Sequence, residues 1–246
     1  MLKTNNYIEN KNIILTGASS GIGFSVLKKL SSYKTNVFTF SRNLAKLNKA
    51  INNINSPVAN IFSDTVDLQY PGALNKYFNS VFVAEDRSVD ILINNAGFFS
   101  ASKFIDTTFD DYEKIININL RGVFLLTQLA ISGMLKKKSG LIINIASVTA
   151  NKAFPNCSIY SASKAGMLAM MRSLREEVRK SGIKIINISP GATATNIWNE
   201  QVLAQNGYLM STPEDIANVI ISSVELCSLT STLVEEIVVR PQNGDF

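Results

Sequence analysis

The chain has 246 residues, a formal net charge of +5, and 46% hydrophobic against 17% charged residues. A chain of this mass folds from about 39,000 Å² of extended surface to about 11,000 Å², so one large core suffices and intrinsic disorder is excluded. Histidine is absent, which removes every Ser-His-Asp or Cys-His nucleophile and every histidine-containing zinc site.

Only Cys157 and Cys227 are present, so there is no C-x-x-C unit and no disulfide framework, which suits a reducing cytoplasm. Proton chemistry at neutral pH must come from Tyr, Lys, Asp, Glu or Cys. The densest basic run, Lys136-Lys137-Lys138, reads as a solvated helix end. The first twenty residues lack a signal-peptide pattern, and no window holds eighteen uninterrupted apolar residues. The expectation is a cytoplasmic protein with no metal, nucleic-acid or membrane partner. The abundance of Asn, Ile, Ser and Lys reads as codon bias, because these residues are scattered.

Short β-branched runs alternate with longer amphipathic stretches, the pattern of a parallel sheet covered by helices. In chain order the strands fall near Asn12–Thr16, Asn36–Phe40, Val58–Phe62, Val89–Asn94, Gly140–Ile145, Ile183–Ser189 and Glu236–Val239. Helices fall near Gly21–Ser32, Leu44–Asn53, Ala73–Val83, Thr108–Lys137, Ile159–Lys180 and Pro213–Leu226. This makes one doubly wound α/β domain over 1–246, with ligands past the carboxyl ends of the strands.

The first strand runs into Gly17-Ala18-Ser19-Ser20-Gly21-Ile22-Gly23, and a helix begins at once. Glycines there let the backbone turn tightly and approach a pyrophosphate that the helix N-terminus stabilises. The second strand ends in Phe40-Ser41-Arg42, with no Asp or Glu to take a ribose 2′-hydroxyl. Arg42 can pair with a 2′-phosphate and Ser41 can hydrogen-bond it, which predicts NADP with NADPH preferred over NADH. The alternative is a solvated arginine opening the next helix.

Tyr160 and Lys164 lie four apart on a predicted helix, on one face and one turn from each other. Free tyrosine titrates near 10, and a nearby ammonium favours its phenolate. Ser147 follows the fifth strand, where a hydroxyl can hold a substrate oxygen beside Tyr160.

Together, Thr16-Gly17-x-x-x-Gly21-x-Gly23, Asn94-Asn95-Ala96-Gly97, Asn119, Ser147, Tyr160 with Lys164, and Pro190-Gly191 followed by Thr195 resemble the short-chain dehydrogenase/reductase family over essentially the whole chain. The resemblance implies a Rossmann-like seven-stranded parallel sheet of order 3-2-1-4-5-6-7 with helices on both faces. It implies hydride transfer between a nicotinamide and a carbonyl or secondary alcohol, with Tyr160 as acid/base and Asn119, Ser147 and Lys164 as its partners. The cofactor would be held by Gly17, Ser19, Ser20, Gly21, Ile22, Gly23, Ser41, Arg42, Asp67, Leu68, Asn94, Ala96, Gly97, Tyr160, Lys164, Pro190, Gly191, Thr193 and Thr195. Asp67 matches the adenine-binding residue, although a helix N-cap explains it equally well. Asn119 matches the asparagine that binds a water in the proton relay. Such chains commonly pair through the two long helices after strands four and five, so a homo-oligomer, dimer or tetramer, is expected.

The resemblance puts a substrate-specificity segment near 197–211. Trp198, Leu203, Tyr208, Leu209 and Met210 there can form an apolar lid or simply pack the following helix. Phe98, Phe99, Val148, Phe154 and Cys157 can line the opposite side, Cys157 being a small apolar residue or a regulatory thiol. The C-terminal segment Glu235–Phe246 departs from the glycine-rich end of 3-oxoacyl-acyl-carrier-protein reductases, which keeps that role as an alternative only. A catalytically silent dinucleotide sensor is the alternative from another class, disfavoured by the retained Asn119, Ser147, Tyr160 and Lys164.

Overall fold

The structure, a computed structural model, describes residues 7–229 and 231–244. Asp245 and Phe246, which end the departing C-terminal segment, lie outside the described residues, as do residues 1–6 of the expected domain. Among the described residues, seven strands form one sheet of order β3-β2-β1-β4-β5-β6-β7, parallel at every pairing. They are β1 (Asn12–Thr16), β2 (Asn36–Ser41), β3 (Asn60–Thr65), β4 (Ile91–Asn94), β5 (Gly140–Ile145), β6 (Ile183–Pro190) and β7 (Glu236–Val239). The fold is the Rossmann-like doubly wound arrangement expected.

Burial explains the apolar runs. β4 and β5 are buried at every residue, as strands covered on both faces must be. On one face, Leu15, Ile143 and Ile188 meet Val26 and Leu27 of α1 (Gly21–Leu30), Leu47 of α2 (Leu44–Asn52) and Ile216 and Ile220 of α8 (Pro213–Leu226). On the other, Phe38, Leu92 and Ile142 meet Leu74 of α3 (Pro71–Phe78), Leu126 and Met134 of α5 (Gly122–Lys137) and Met167 and Met171 of α6 (Ser158–Val178). Helix α8 starts on a capping box between Thr212 and Asp215 with Pro213 following, two orphan donors being satisfied reciprocally.

The structure departs from the sequence reading at several element boundaries, the fourth strand starting at Ile91 rather than Val89 and the third α-helix ending at Phe78 rather than Val83. The long helix expected over Thr108–Lys137 is α4 (Phe109–Ile116), a π turn at Asn117–Arg121, and then α5. At the turn's end the Gly122 N–H reaches five residues back to the Asn117 carbonyl, a widened geometry that apolar periodicity does not reveal. By length and composition Phe109–Lys137 passes for a membrane span, yet Val123, Leu126, Ala130 and Met134 are buried in the core. The third strand begins at Asn60 rather than Val58, in register with Asn36. A helix missed in the sequence, α7 (Glu200–Asn206), is capped by Asn199, whose Oδ1 accepts from Val202 N at 2.8 Å.

The asparagines are not mere codon bias either. Asn36 donates to Asn12 and Asn60 to Asn36, each at 3.0 Å. Asn94 donates to Asn144 at 2.9 Å and Asn144 to Asn187 at 3.0 Å. Each trio occupies paired register positions, so two side-chain ladders cross the sheet. The second is buried and ends at the motif residue Asn94.

Candidate active site

The turn after β1 is shaped for close approach. Gly17 has φ +73°, and a Cβ there would lie 2.8 Å from Asn95 Nδ2. A Cβ on Gly23 would overlap the Gly17 carbonyl, and one on Gly21 (φ +57°) would press on Thr195 at 3.0 Å. Left-handed φ and missing Cβ space both demand glycine. Ser20 precedes α1 without capping it by a side-chain hydrogen bond, and the first turn carries no acid. That helix end therefore offers N–H groups and two serine hydroxyls to an anion.

The turn is tied to β4 through Thr16. Its Oγ1 accepts from Asn95 N at 3.0 Å and Ala96 N at 2.9 Å, and Asn95 Nδ2 donates to the Thr16 carbonyl at 2.9 Å. Thr16 and Asn95 both belong to motifs that carry the family resemblance, but neither is among the individual site residues expected there. The period of the motif marks them, but only the fold shows that they clamp the two strand ends together.

Ser147, Tyr160 and Lys164 converge at the carboxyl end of β5. Ser147 Oγ accepts from Thr149 N at 3.2 Å and Thr149 Oγ1 at 3.0 Å. With its lone pairs so used, its own hydrogen is left to donate. Burial pushes Tyr160 up to about 12, a hydrogen bond with Ser147 pulls it back, and Cys157 nearby pushes it up further. Lys164 is buried, and burial pulls it down to about 8. Its Nζ donates to the Ile145 carbonyl at 2.8 Å and lies 5.8 Å from the Tyr160 ring centroid. Gly97 leaves space beside it, since a Cβ there would be 3.6 Å from both Lys164 Nζ and Asn119 Oδ1.

Asn119 sits in the π turn and is fully buried. Its Oδ1 accepts from Phe98 N at 2.8 Å, and its Nδ2 donates to Phe98 O at 2.9 Å and Ser163 Oγ at 3.1 Å. Ser163 in turn donates to the Tyr160 carbonyl at 2.7 Å. Both amide hydrogens are thus spent on holding Phe98 against α6. The side chain works here as a main-chain clamp.

A family model for short chain dehydrogenase matches residues 11–206. The chain belongs to that family. A sepiapterin reductase of Chlorobaculum tepidum is 31% identical over 95% of this chain and 97% of its own. An uncharacterized oxidoreductase of Staphylococcus epidermidis is 28% identical over 95% and 98%. A metagenomic short-chain oxidoreductase solved with NADP superimposes with TM-score 0.80 at 26% identity, covering 96% of this chain and 99% of that one. This short-chain dehydrogenase is accordingly an oxidoreductase.

The dehydrogenase's remaining candidates fall at the same strand ends, with different commitments. Asn94, expected beside the cofactor, donates to Thr127 at 3.2 Å and to Asn144, and lies inside the sheet; the cleft side of its motif is left to Ala96 and Gly97. Asp67 is not a helix N-cap: α3 starts at Pro71 after Tyr70. Asp67 Oδ1 accepts from Gln69 N at 2.9 Å, closing a local turn. Leu68 packs under Gly122, and Arg121 donates to the Gln69 carbonyl at 2.7 Å, so the Asp67–Gln69 loop is fastened to the π turn. Arg42 is exposed, with no hydrogen bond or ion pair to the described residues. Ser41 Oγ accepts from Asn43 N at 3.2 Å, which leaves its hydrogen free.

Pro190 ends β6, and Gly191 leads into an excursion whose base is closed. Ala194 N donates to Ser211 O at 2.9 Å and Ser211 N to Ala192 O at 3.0 Å. The expected specificity segment lies inside it. Trp198 Nε1 donates to the Thr193 carbonyl at 3.0 Å, Met210 is buried and Tyr208 is exposed. The segment is therefore part packing and part open surface, which its apolar composition alone left unresolved. A separate groove of about 220 Å³ lies between β3 and α3, lined by residues such as Phe38, Phe62, Tyr77 and Arg87, and shares none of the residues above.

Proposed function

We propose that the protein reduces a carbonyl compound to a secondary alcohol with NADPH. The observation that carries this reading is the meeting of Ser147, Tyr160 and Lys164 beside Gly97. The glycine cradle and the uncapped start of α1 fit a dinucleotide's diphosphate, held by Gly17, Ser19, Ser20, Gly21, Ile22 and Gly23. Ser41 and Arg42 would hold a 2′-phosphate, and Asp67 with Leu68 the adenine. Ala96, Gly97, Lys164, Pro190, Gly191, Thr193 and Thr195 would hold the nicotinamide end. A relative named as a reductase and a neighbour solved with NADP support the assignment.

The bound nicotinamide supplies the hydride. Everything else belongs to the chain. Ser147 donates to the carbonyl oxygen and holds it against Tyr160. Tyr160 gives up its phenolic proton to that oxygen as negative charge develops there. The Lys164 ammonium stabilises the phenolate left behind, and solvent returns the proton. A tyrosine that burial holds protonated is an acid, which suits reduction. The two cysteines are unpaired, in keeping with a reducing cytoplasm.

We also infer self-association through α4, α5 and α6. Phe109, Tyr112, Phe124 and Leu135 are exposed on the first two, and large apolar side chains left in solvent gain by burial against a partner. Light scattering should give a multiple of the 26.9 kDa chain mass; a monomer mass would refute it. Calorimetric titration with NADPH and NADH in one buffer tests the cofactor assignment. At least about tenfold tighter NADPH binding is expected, roughly 1.4 kcal/mol. Equal affinities would remove Arg42 from its role.

A further inference from the structure

We propose that Phe99 and Trp198 form a specificity wall for ketones whose C=O is conjugated to a flat ring, that is, aryl ketones. The proposal rests on the carbonyl-reductase reading above and names its substrate class. Phe99 meets the Tyr160 ring edge-on, with centroids 4.9 Å apart and planes at 86°. Trp198 tilts against Phe99 at 5.5 Å and 56°. Three aromatic rings thus run in unbroken contact from the reacting hydroxyl outward to the excursion after β6.

Both outer rings are held from behind. The residue before Phe99 is gripped at its N–H and its C=O by Asn119. Trp198 is tethered through its indole N–H to Thr193, on the segment that leads away from Pro190 and Gly191. Neither tether uses an aromatic face. A wall fixed this way does not reshape itself around a bulky saturated ring. A carbonyl seated on Ser147 and Tyr160 carries its substituent directly past Phe99. A flat ring there can add to the series by edge-to-face or offset contact, whose attraction comes from the ring quadrupole. A cyclohexyl group of nearly the same size is thicker and has no quadrupole.

Trp198 is the chain's sole tryptophan, so its emission reports on the wall directly. The full-length protein saturated with NADP⁺ should be titrated with acetophenone and with cyclohexyl methyl ketone. Acetophenone should perturb the emission at about tenfold lower concentration, the size expected for aromatic pairing. Phe99→Leu should bring the two concentrations to within about twofold. With NADPH, the ratio of kcat/KM for the two ketones should fall in parallel in Phe99→Leu and Trp198→Leu, carried by KM, while Trp198→Phe keeps it. Equal affinities in the unaltered protein, or a preference that survives both leucine variants, would overturn the wall. Equal turnover of both ketones would do so while leaving the reductase reading intact. Selective perturbation of Trp198 with no turnover of either would support the wall and overturn the reductase reading.

Discussion

Tyr77 and Tyr160 occupy two regions that share most of their ingredients. Both are pushed up chiefly by burial. Both meet a phenylalanine near edge-on, Phe40 at 5.0 Å and Phe99 at 4.9 Å. Tyr77 also lines a hollow, the groove between β3 and α3. What separates them is company. The charge near Tyr77 is Asp64, whose carboxylate opposes a phenolate. Tyr160 has the Ser147 hydroxyl and, on the next helical turn, the Lys164 ammonium. A buried tyrosine beside an acid keeps its proton and does nothing with it. One beside a donor and a cation can release it and take it back.

The sharpest break of this comparison is Tyr160→Phe. It should lower kcat by about a thousandfold, within the usual range for a general acid, while calorimetric NADPH binding stays near that of the unaltered protein. Substantial residual turnover would remove Tyr160 from its role.

Next comes Lys164. Burial lowers it from 10.5 to about 8, so its charge is lost at a lower pH in the folded protein than in the unfolded chain. Reductive kcat/KM should therefore fall as pH rises through about 8, even though Tyr160, pushed up to about 12, is still protonated there. For stability the sign is opposite. Between about 8 and 10.5 the unfolded chain binds the extra proton, so this group's contribution to stability grows with pH across that window and is lost as pH falls through 8. A profile flat to pH 10 would show that the ammonium is not used.

Arg42→Ala is expected to weaken NADPH binding about tenfold and leave NADH nearly unchanged, as loss of a charge-assisted phosphate contact should. Parallel losses for both cofactors, measured by calorimetry, would reject the assignment. The smallest effect belongs to Tyr77→Phe. Its kcat/KM should stay within about twofold of the parent, since losing this hydroxyl opens no large cavity and lies away from the cleft. A large loss of turnover there would mean that the groove takes part in the reaction.

Much of this arrangement was legible in the residues. The buried strands announce themselves as β-branched runs because both sheet faces are covered, and the glycine turn because φ and Cβ space leave no alternative. The meeting of Ser147, Tyr160 and Lys164 was legible through fixed spacing on one helix and one strand end. The π turn was not, because a single widened turn leaves the apolar pattern of α4 and α5 almost unaltered. The two asparagine ladders were not, because their members are far apart in sequence and meet only through strand register. Nor could sequence show that Asn94 faces into the sheet, or that the Asn119 amide is spent on Phe98. Those facts depend on which way a side chain turns, at a strand end for Asn94 and inside a helix for Asn119.

The paired base of the excursion after β6 has a consequence for how the protein can change. The bonds joining Ala192 and Ala194 to Ser211 hold the two ends together whatever lies between them. Closing a longer loop on such a base costs only about 0.6 kcal/mol for each doubling of its length. The stretch from Asn196 to Met210 is thus a cassette. It can be lengthened, shortened or exchanged for a relative's while the hydroxyl, the ammonium and the glycine cradle stay where the sheet puts them.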